Sequence, residues 1–248
     1  METTCKVQIL APPTKLNNTM DFEYLDVEQR SPEWFGVRMG RITASRLKDW
    51  MAVSKAKGKE GTPLKAREDY ERELWFERKF GVSFNNFVSA AMLDGQMYED
   101  YARLEYSNRK GVTVMPCGIF YNEFFAASPD GLIEGDGLLE IKVLRDNTFT
   151  EVLLNGVPDD HWKQVQGQLF ASGRDYCDYV ALNLSTKKFA IWKVTPNADF
   201  FAQLEASLRE PLTVEDVATN EIYSIEGELP HADNLFQEYP TGNPWQTT

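Results

Sequence analysis

The stretch that most constrains how this chain can fold is Leu138-Leu139-Glu140-Ile141-Lys142-Val143. Its apolar residues demand burial as a strand, yet it carries an acid and an amine. Side chains alternate along a strand, so Glu140 and Lys142 project to one face and Ile141 points the other way into the core. A buried Glu and Lys need partners. Just upstream, Ser128-Pro129-Asp130-Gly131 leads into a hairpin that returns through Gly135-Asp136-Gly137, which can bring Asp130 beside Glu140. The Ile141 carbonyl stays near the same edge. Two carboxylates and a carbonyl form a hard oxygen site of the kind Mg²⁺ accepts. A lysine beside them can position or deprotonate water and stabilise charge on a phosphate, as metal-assisted phosphodiester hydrolysis requires. Alone, an Asp-Gly pair is an ordinary turn and Glu-x-Lys an ordinary solvated face. The apolar neighbours of Glu140 and Lys142 shift the balance.

Around this segment the chain reads helices first, then a sheet, then helices against it. Ser31-Pro32-Glu33 is a helix start, with Ser at the cap and Pro at the first position; that helix carries Trp34, Val37 and Arg38, and Gly40 ends it. Thr43 and Ser45 can cap a second helix to about Met51. Residues 54–63 read as a mobile, basic loop. Leu64 to Phe80 is a strong helix stopped by Gly81, and Phe87 to Tyr106 is another. Val112 to Cys117, Phe120 to Ala127 (with a turn at Asn122-Glu123) and Leu138 to Val143 read as strands. Thr148 to Leu154 and Asp160 to Ala171 read as helices, Tyr176 to Leu184 and Phe189 to Val194 as a strand pair, and Asn197 to Leu208 as a last helix. The expectation is a single α/β domain over 31–210 with a central mixed sheet flanked by helices. Residues 1–30 are expected as an arm or short edge segment, and 211–248 as an acidic C-terminal segment.

Composition removes several function classes. The 248 residues include 31 aromatic ones, which excludes a disordered chain. No apolar run approaches the length of a membrane span, and the N-terminus lacks the pattern of a signal peptide. Cys5, Cys117 and Cys177 lie too far apart for a disulfide framework or a zinc or iron–sulfur spacing. A cytoplasmic setting is the simple reading. The formal charge of −12 argues against nonspecific coating of nucleic acid. The charge is uneven, however: 38–79 carries 12 Lys/Arg against 7 Asp/Glu, and 196–248 one Arg against 10 acids. Counts alone favour solvated helix faces; a local basic path for a phosphate backbone is the sharper alternative.

Two further pieces fit the same chemistry. In Gly95-x-x-Tyr98-Glu99-x-x-Ala102, Gly95 and Glu99 share a helix face, and a mid-helix Gly costs about 1 kcal/mol relative to Ala, so a close approach is expected there. In Gln164-Val165-Gln166, Gln164 can hydrogen-bond a water or phosphate at the site. His161 and His231 are isolated, and no Ser-His-Asp or Cys-His set can be assembled. The six tryptophans read as core, with Trp34 able to pack near a DNA end.

Taken in order, Gly-x-x-Tyr-Glu-x-x-Ala, Ser-Pro-Asp-Gly, Leu-Glu-Ile-Lys and Gln-Val-Gln resemble the PD-(D/E)xK nuclease superfamily, of restriction-endonuclease-like fold. Within it the chain is similar to the phage-type alkaline exonucleases, the lambda-exonuclease-like viral recombinase nucleases. Residues 34–45, Trp-Phe-Gly-Val-Arg-Met-Gly-Arg-Ile-Thr-Ala-Ser, resemble their N-terminal signature. The resemblance spans about 30–195 and implies roles by motif. Asp130, Glu140 and the Ile141 carbonyl would be metal ligands, Glu99 would reach the metals directly or through water, Lys142 would be the catalytic lysine, and Gln164 would orient the nucleophilic water. Arg38, Ser45 and Ser128 match positions that hold the 5′-phosphate of the processed strand; a guanidinium forks onto phosphate, which supports this independently. Two Mg²⁺ per site are implied, with Mn²⁺ as substitute. So are linear double-stranded DNA as substrate, a homotrimeric ring, a single-strand annealing recombinase as partner, and the bacterial host cytoplasm as the setting if the chain is phage-encoded.

The implied activity is a 5′-to-3′ exonuclease that leaves 3′ overhangs. A sequence- or structure-specific endonuclease of the same superfamily is the alternative. An iron–sulfur helicase-type or CRISPR-adaptation nuclease would need four suitably placed cysteines. A non-catalytic DNA-mimicking acidic protein would have no use for Asp130, Glu140 and Lys142.

Overall fold

The computed structural model describes residues 20–84 and 90–212, with backbone only at 90–96. All of these belong to one compact unit; a second, 217–248, lies outside the described residues, as does residue 213 onward of the expected acidic segment. In chain order the elements are β1 (Glu23–Leu25), α1 (Pro32–Arg38), β2 (Ile42–Thr43), a 3₁₀ turn (Ala44–Arg46), α2 (Leu47–Trp50), α3 (Lys65–Phe80), α4 (Ala90–Lys110), β3 (Val114–Met115), β4 (Ile119–Tyr121), β5 (Phe125–Ala127), β6 (Gly131–Ile133), β7 (Gly137–Leu144), α5 (Asp146–Asn155), α6 (Asp159–Ser172), β8 (Tyr176–Asn183), β9 (Lys188–Val194) and α7 (Ala198–Leu208).

The mixed α/β class is as expected, but the strands divide into two sheets. One has the order β1-β4-β5-β2, the other β3-β6-β7-β8-β9. The division falls at Ser128-Pro129-Asp130, between β5 and β6. Pro129 has no N–H to give a ladder, so the chain leaves one sheet there and enters the next. The segment expected as an arm or edge supplies β1, which pairs antiparallel with β4 at the edge of the smaller sheet. Val112 to Cys117 shortens to the two paired residues of β3.

Local signals decide the helix ends. Ser31 Oγ accepts from Trp34 N at 3.2 Å, and Pro32 occupies the first turn of α1. Gly40 then takes φ +69, where a Cβ would lie 2.8 Å from Arg78 Cγ. Thr43 makes no side-chain cap bond; its hydroxyl lies 3.3 Å from Ser45 Oγ, and the expected second helix begins as a 3₁₀ turn. Gly81 closes α3 at φ +66.

The larger sheet is covered on both faces, which is why β7 and β8 read as nearly continuous apolar runs. Leu138, Cys177, Tyr179 and Ala181 face the main core with Trp50, Leu169 and Phe170. Leu139, Ile141, Val180 and Leu182 face a second core with Ala102 and Tyr106 of α4. Thus α6 lies over the face carrying Glu140, and α4 over the face carrying Ile141. Among the described residues no helix is long and apolar enough to cross a membrane.

Candidate active site

The β6–β7 hairpin pairs Gly131 with Leu139 and Ile133 with Gly137. One step further in the same register, Asp130 falls opposite Glu140, as the sequence anticipated. Beyond Leu139 the β6 side of β7 has no strand partner, and Asp130 fills the gap: its Oδ2 accepts from Ile141 N at 2.6 Å. The N–H and C=O of one strand residue point to the same edge, so the Ile141 carbonyl faces the same opening.

Glu140 is 1% exposed, and three donors hold it. Lys142 Nζ and Gln164 Nε2 each lie 2.6 Å from its Oε1. Gln168 Nε2 donates to its Oε2 at 2.6 Å. Gln168 was missed from sequence; its signal was a Gln four residues after Gln164, on the same face of α6. By contrast, Gln166 turns away and bonds Thr195 O and Asn197 N. The Gln168 Oε1 atom is buried without a hydrogen-bond partner.

Glu99 projects from α4 toward this centre, but two arginines hold it. Arg103 Nη2 meets its Oε1 at 2.8 Å and Arg30 Nη2 its Oε2 at 2.6 Å. Arg103 Nε also donates to Asp130 O at 3.0 Å, tying α4 to the turn that bears Asp130. Neither arginine was singled out from sequence; Arg103 follows Glu99 by one helical turn. Gly95 lies in the part of α4 where only the backbone is described.

The electrostatics follow from crowding acids. Burial, then Glu140 and Glu99, push the Asp130 carboxyl well above the usual carboxylate range against the pull of Lys142. Burial works to lower the Lys142 ammonium, yet Glu140, Asp130 and Glu99 together raise it above the ordinary lysine value. Such a surplus of acid around one lysine is what a divalent cation would offset. Among the described residues no three acids, histidines or cysteines already converge as a metal cage. Two carboxylates and a carbonyl are nonetheless the hard oxygen donors such an ion takes, and the set fits.

The three residues expected at a phosphate gather around Trp34. Arg38 lies 4.2 Å over the Trp34 ring, and its Nη2 is 3.4 Å from Ser45 Oγ. Trp34 Nε1 donates to Ser128 Oγ at 3.0 Å, and that hydroxyl donates to Gly118 O at 2.6 Å. Desolvation lowers Arg38 to about 10, which leaves it cationic at neutral pH. On α6, His161 Nδ1 lies within hydrogen-bond distance of Tyr179 Oη at 2.7 Å; desolvation lowers the His161 pKa to about 4, so the ring is neutral at neutral pH.

Residues 33–175 match the YqaJ-like viral recombinase domain. Among solved structures, the alkaline exonuclease (LHK-Exo) of Laribacter hongkongensis is similar at 31% identity and a TM-score of 0.63, over 72% of this chain and 89% of that one. Its complex with dAMP matches equally. A phage-related exonuclease from Haemophilus somnus 129PT shares the fold, with a TM-score of 0.55 at 12% identity over 68% of this chain and 90% of that one. Curated proteins include no match to the chain. With the domain match spanning more than half of its length, and the acids and lysine gathered as described, this chain belongs to the YqaJ-like viral recombinase family, that of the phage alkaline exonucleases.

Proposed function

We propose that the protein is a divalent-metal-dependent deoxyribonuclease that digests one strand of linear double-stranded DNA from a 5′-phosphorylated end. It works 5′ to 3′ and leaves 3′ single-stranded overhangs for recombination by strand annealing. The observation that carries this reading is the link Ser128-Pro129-Asp130. Ser128 belongs to the Trp34–Arg38–Ser45 cluster, and Asp130 faces Glu140 and Ile141 N. A terminal phosphate seated at one end of this link would leave the following linkages of the same strand beside the carboxylates at the other. An enzyme that grips a terminal phosphate in order to cut acts at ends. The dAMP bound by the Laribacter relative is consistent with stepwise release of mononucleotides.

Asp130, Glu140 and the Ile141 carbonyl would hold Mg²⁺, with Glu99 contributing once an arginine releases it and Mn²⁺ as a substitute; two ions per site are proposed. The ion supplies a polarised phosphate and a more acidic water. Lys142 holds positive charge against the developing charge of the phosphate, and Gln164 orients the attacking water. Gln168 keeps the Glu140 carboxylate in its plane.

Duplex carrying distinct 5′ and 3′ labels tests the reading. The 5′ label should be released early with Mg²⁺ and not in EDTA, while the 3′ label stays on polymer until late in the digestion. Closed circular duplex should survive. Cutting of circles would overturn the exonuclease reading in favour of an endonuclease. We also propose the homotrimeric ring and the annealing partner that the family resemblance implies. A single-subunit mass by light scattering would refute the ring, and failure of an annealing recombinase to co-purify would count against the partner.

A further inference from the structure

We propose that Arg30 binds a backbone phosphate of the processed strand, between the terminal-phosphate cluster and the catalytic carboxylates. The proposal rests on the exonuclease reading above. Residues 29–31 form a strap across the Ser128-Pro129-Asp130 link. Gln29 Nε2 donates to Pro129 O at 2.7 Å and to Cys117 O at 2.9 Å. On the other side of Arg30, Ser31 caps the helix whose Trp34 reaches Ser128. Between these anchors the Arg30 guanidinium is delivered to Glu99, the acid whose charge acts on both Asp130 and Lys142.

Two features set this arginine apart from a structural ion pair. First, Glu99 already accepts from Arg103 through its other oxygen. Its charge is met without Arg30. The Arg30 side chain is 40% exposed, against 12% for both Glu99 and Arg103, so it is the member of the trio that faces an arriving ligand. Second, Arg30 has φ +71, a left-handed conformation that glycine adopts freely and that any Cβ disfavours. The strap is held in this shape by its flanking bonds, and what the unfavourable backbone delivers is a guanidinium.

A phosphodiester is the anion that fits. A guanidinium forks onto phosphate with two parallel hydrogen bonds, and a strand running from the Arg38 cluster toward Asp130 passes the strap. On binding, Arg30 exchanges Glu99 Oε2 for a phosphate oxygen. Glu99 stays tied to Arg103 through Oε1, and its second oxygen becomes available to the centre.

The test is binding of 5′-phosphorylated duplex oligonucleotides by the full chain in EDTA, read by fluorescence anisotropy over a salt series, with melting temperatures alongside. Arg30→Gly removes the guanidinium and suits the backbone; Arg30→Lys keeps the charge. The Arg30→Gly variant should melt at or above the wild-type temperature yet bind more weakly, with the slope of log K against log salt reduced by about 1. Arg30→Lys should retain the wild-type slope. An unchanged slope and affinity in Arg30→Gly, whatever its melting temperature, overturns the proposal and leaves Arg30 as an ion-pair partner of Glu99. Wild-type protein that spares linear duplex in Mg²⁺ would instead overturn the exonuclease reading. An active wild type with an unchanged slope in Arg30→Gly sinks only the present proposal.

Discussion

Replacing Gln168 by Met separates stability from catalysis at this site. Gln168 is 0% exposed, and its amide donates to Glu140 Oε2 at 2.6 Å while its own Oε1 has no partner. The thioether fills nearly the same volume. The variant loses a hydrogen bond to a charged group, about 1.5–3 kcal/mol, and is relieved of an orphaned buried carbonyl that costs about 1–3 kcal/mol. These nearly cancel, so stability should change by no more than about 1–2 kcal/mol, or a few degrees of Tm at about 2–4 °C per kcal/mol for a domain of this size. Glu140, however, keeps donors on only one oxygen. A residue that orients a metal-binding carboxylate is worth about 10–100-fold in activity or metal affinity. Initial rates on 5′-phosphorylated linear duplex, taken across a Mg²⁺ titration, should fall by that factor with the half-saturating Mg²⁺ displaced upward, while thermal denaturation barely moves. A Gln168→Met variant with wild-type rate and Mg²⁺ dependence would refute the reasoning, as would one that loses many degrees of Tm.

Asp130→Ala or Lys142→Ala should abolish cleavage while binding to duplex ends, measured by anisotropy in EDTA, largely survives. Arg38→Ala should reduce the preference for a 5′-phosphate over a 5′-hydroxyl end, and an unchanged rate ratio on the two substrates would remove Arg38 from that role. Gly167→Ala should cost about 1–2 kcal/mol: the new Cβ would stand 2.5 Å from Leu47 Cδ1 and 3.0 Å from Phe125 Cζ, and this overpacking outweighs the gain in helix propensity; denaturant unfolding reads it. The depressed His161 pKa, about 4 folded against about 6.5 unfolded, means the unfolded chain binds more protons between those values. Stability from this group is complete above pH 6.5 and lost as pH falls toward 4. Its upper bound is about 3 kcal/mol, which solvent at this half-buried ring cuts to about 1–2 kcal/mol. His161→Gln should flatten the Tm profile across that window.

Much of the site was legible because its signals are local. Alternation along β7 put Glu140 and Lys142 on one face and Ile141 on the other, and the turn chemistry of Gly135-Asp136-Gly137 returned the chain so that Asp130 meets Glu140. The Ser31-Pro32 start and the Gly81 stop lay where capping predicts. Of the residues that escaped notice, Arg103 sits one helical turn from Glu99, but the other two act across long separations. Gln168 reaches Glu140 over 28 positions, and Arg30 reaches Glu99 over 69. A lone Gln or Arg carries no signal until its partner is known. Likewise, Pro129 was visible, but not that the strands on either side of it would join different sheets.

The amino-acid order by itself therefore determined the chemistry available: an acid-lysine strand, a second acid one turn away, and helices to cover them, because periodicity and turns act over a few residues. Only tertiary packing decided how that chemistry is held. Placing α6 on one face of the larger sheet and α4 on the other clamps Glu140 between two glutamines and a lysine, and leaves Glu99 in the grip of two arginines. Burial forces each charge to find a partner, and which partner lies within reach is settled by the packing of distant segments.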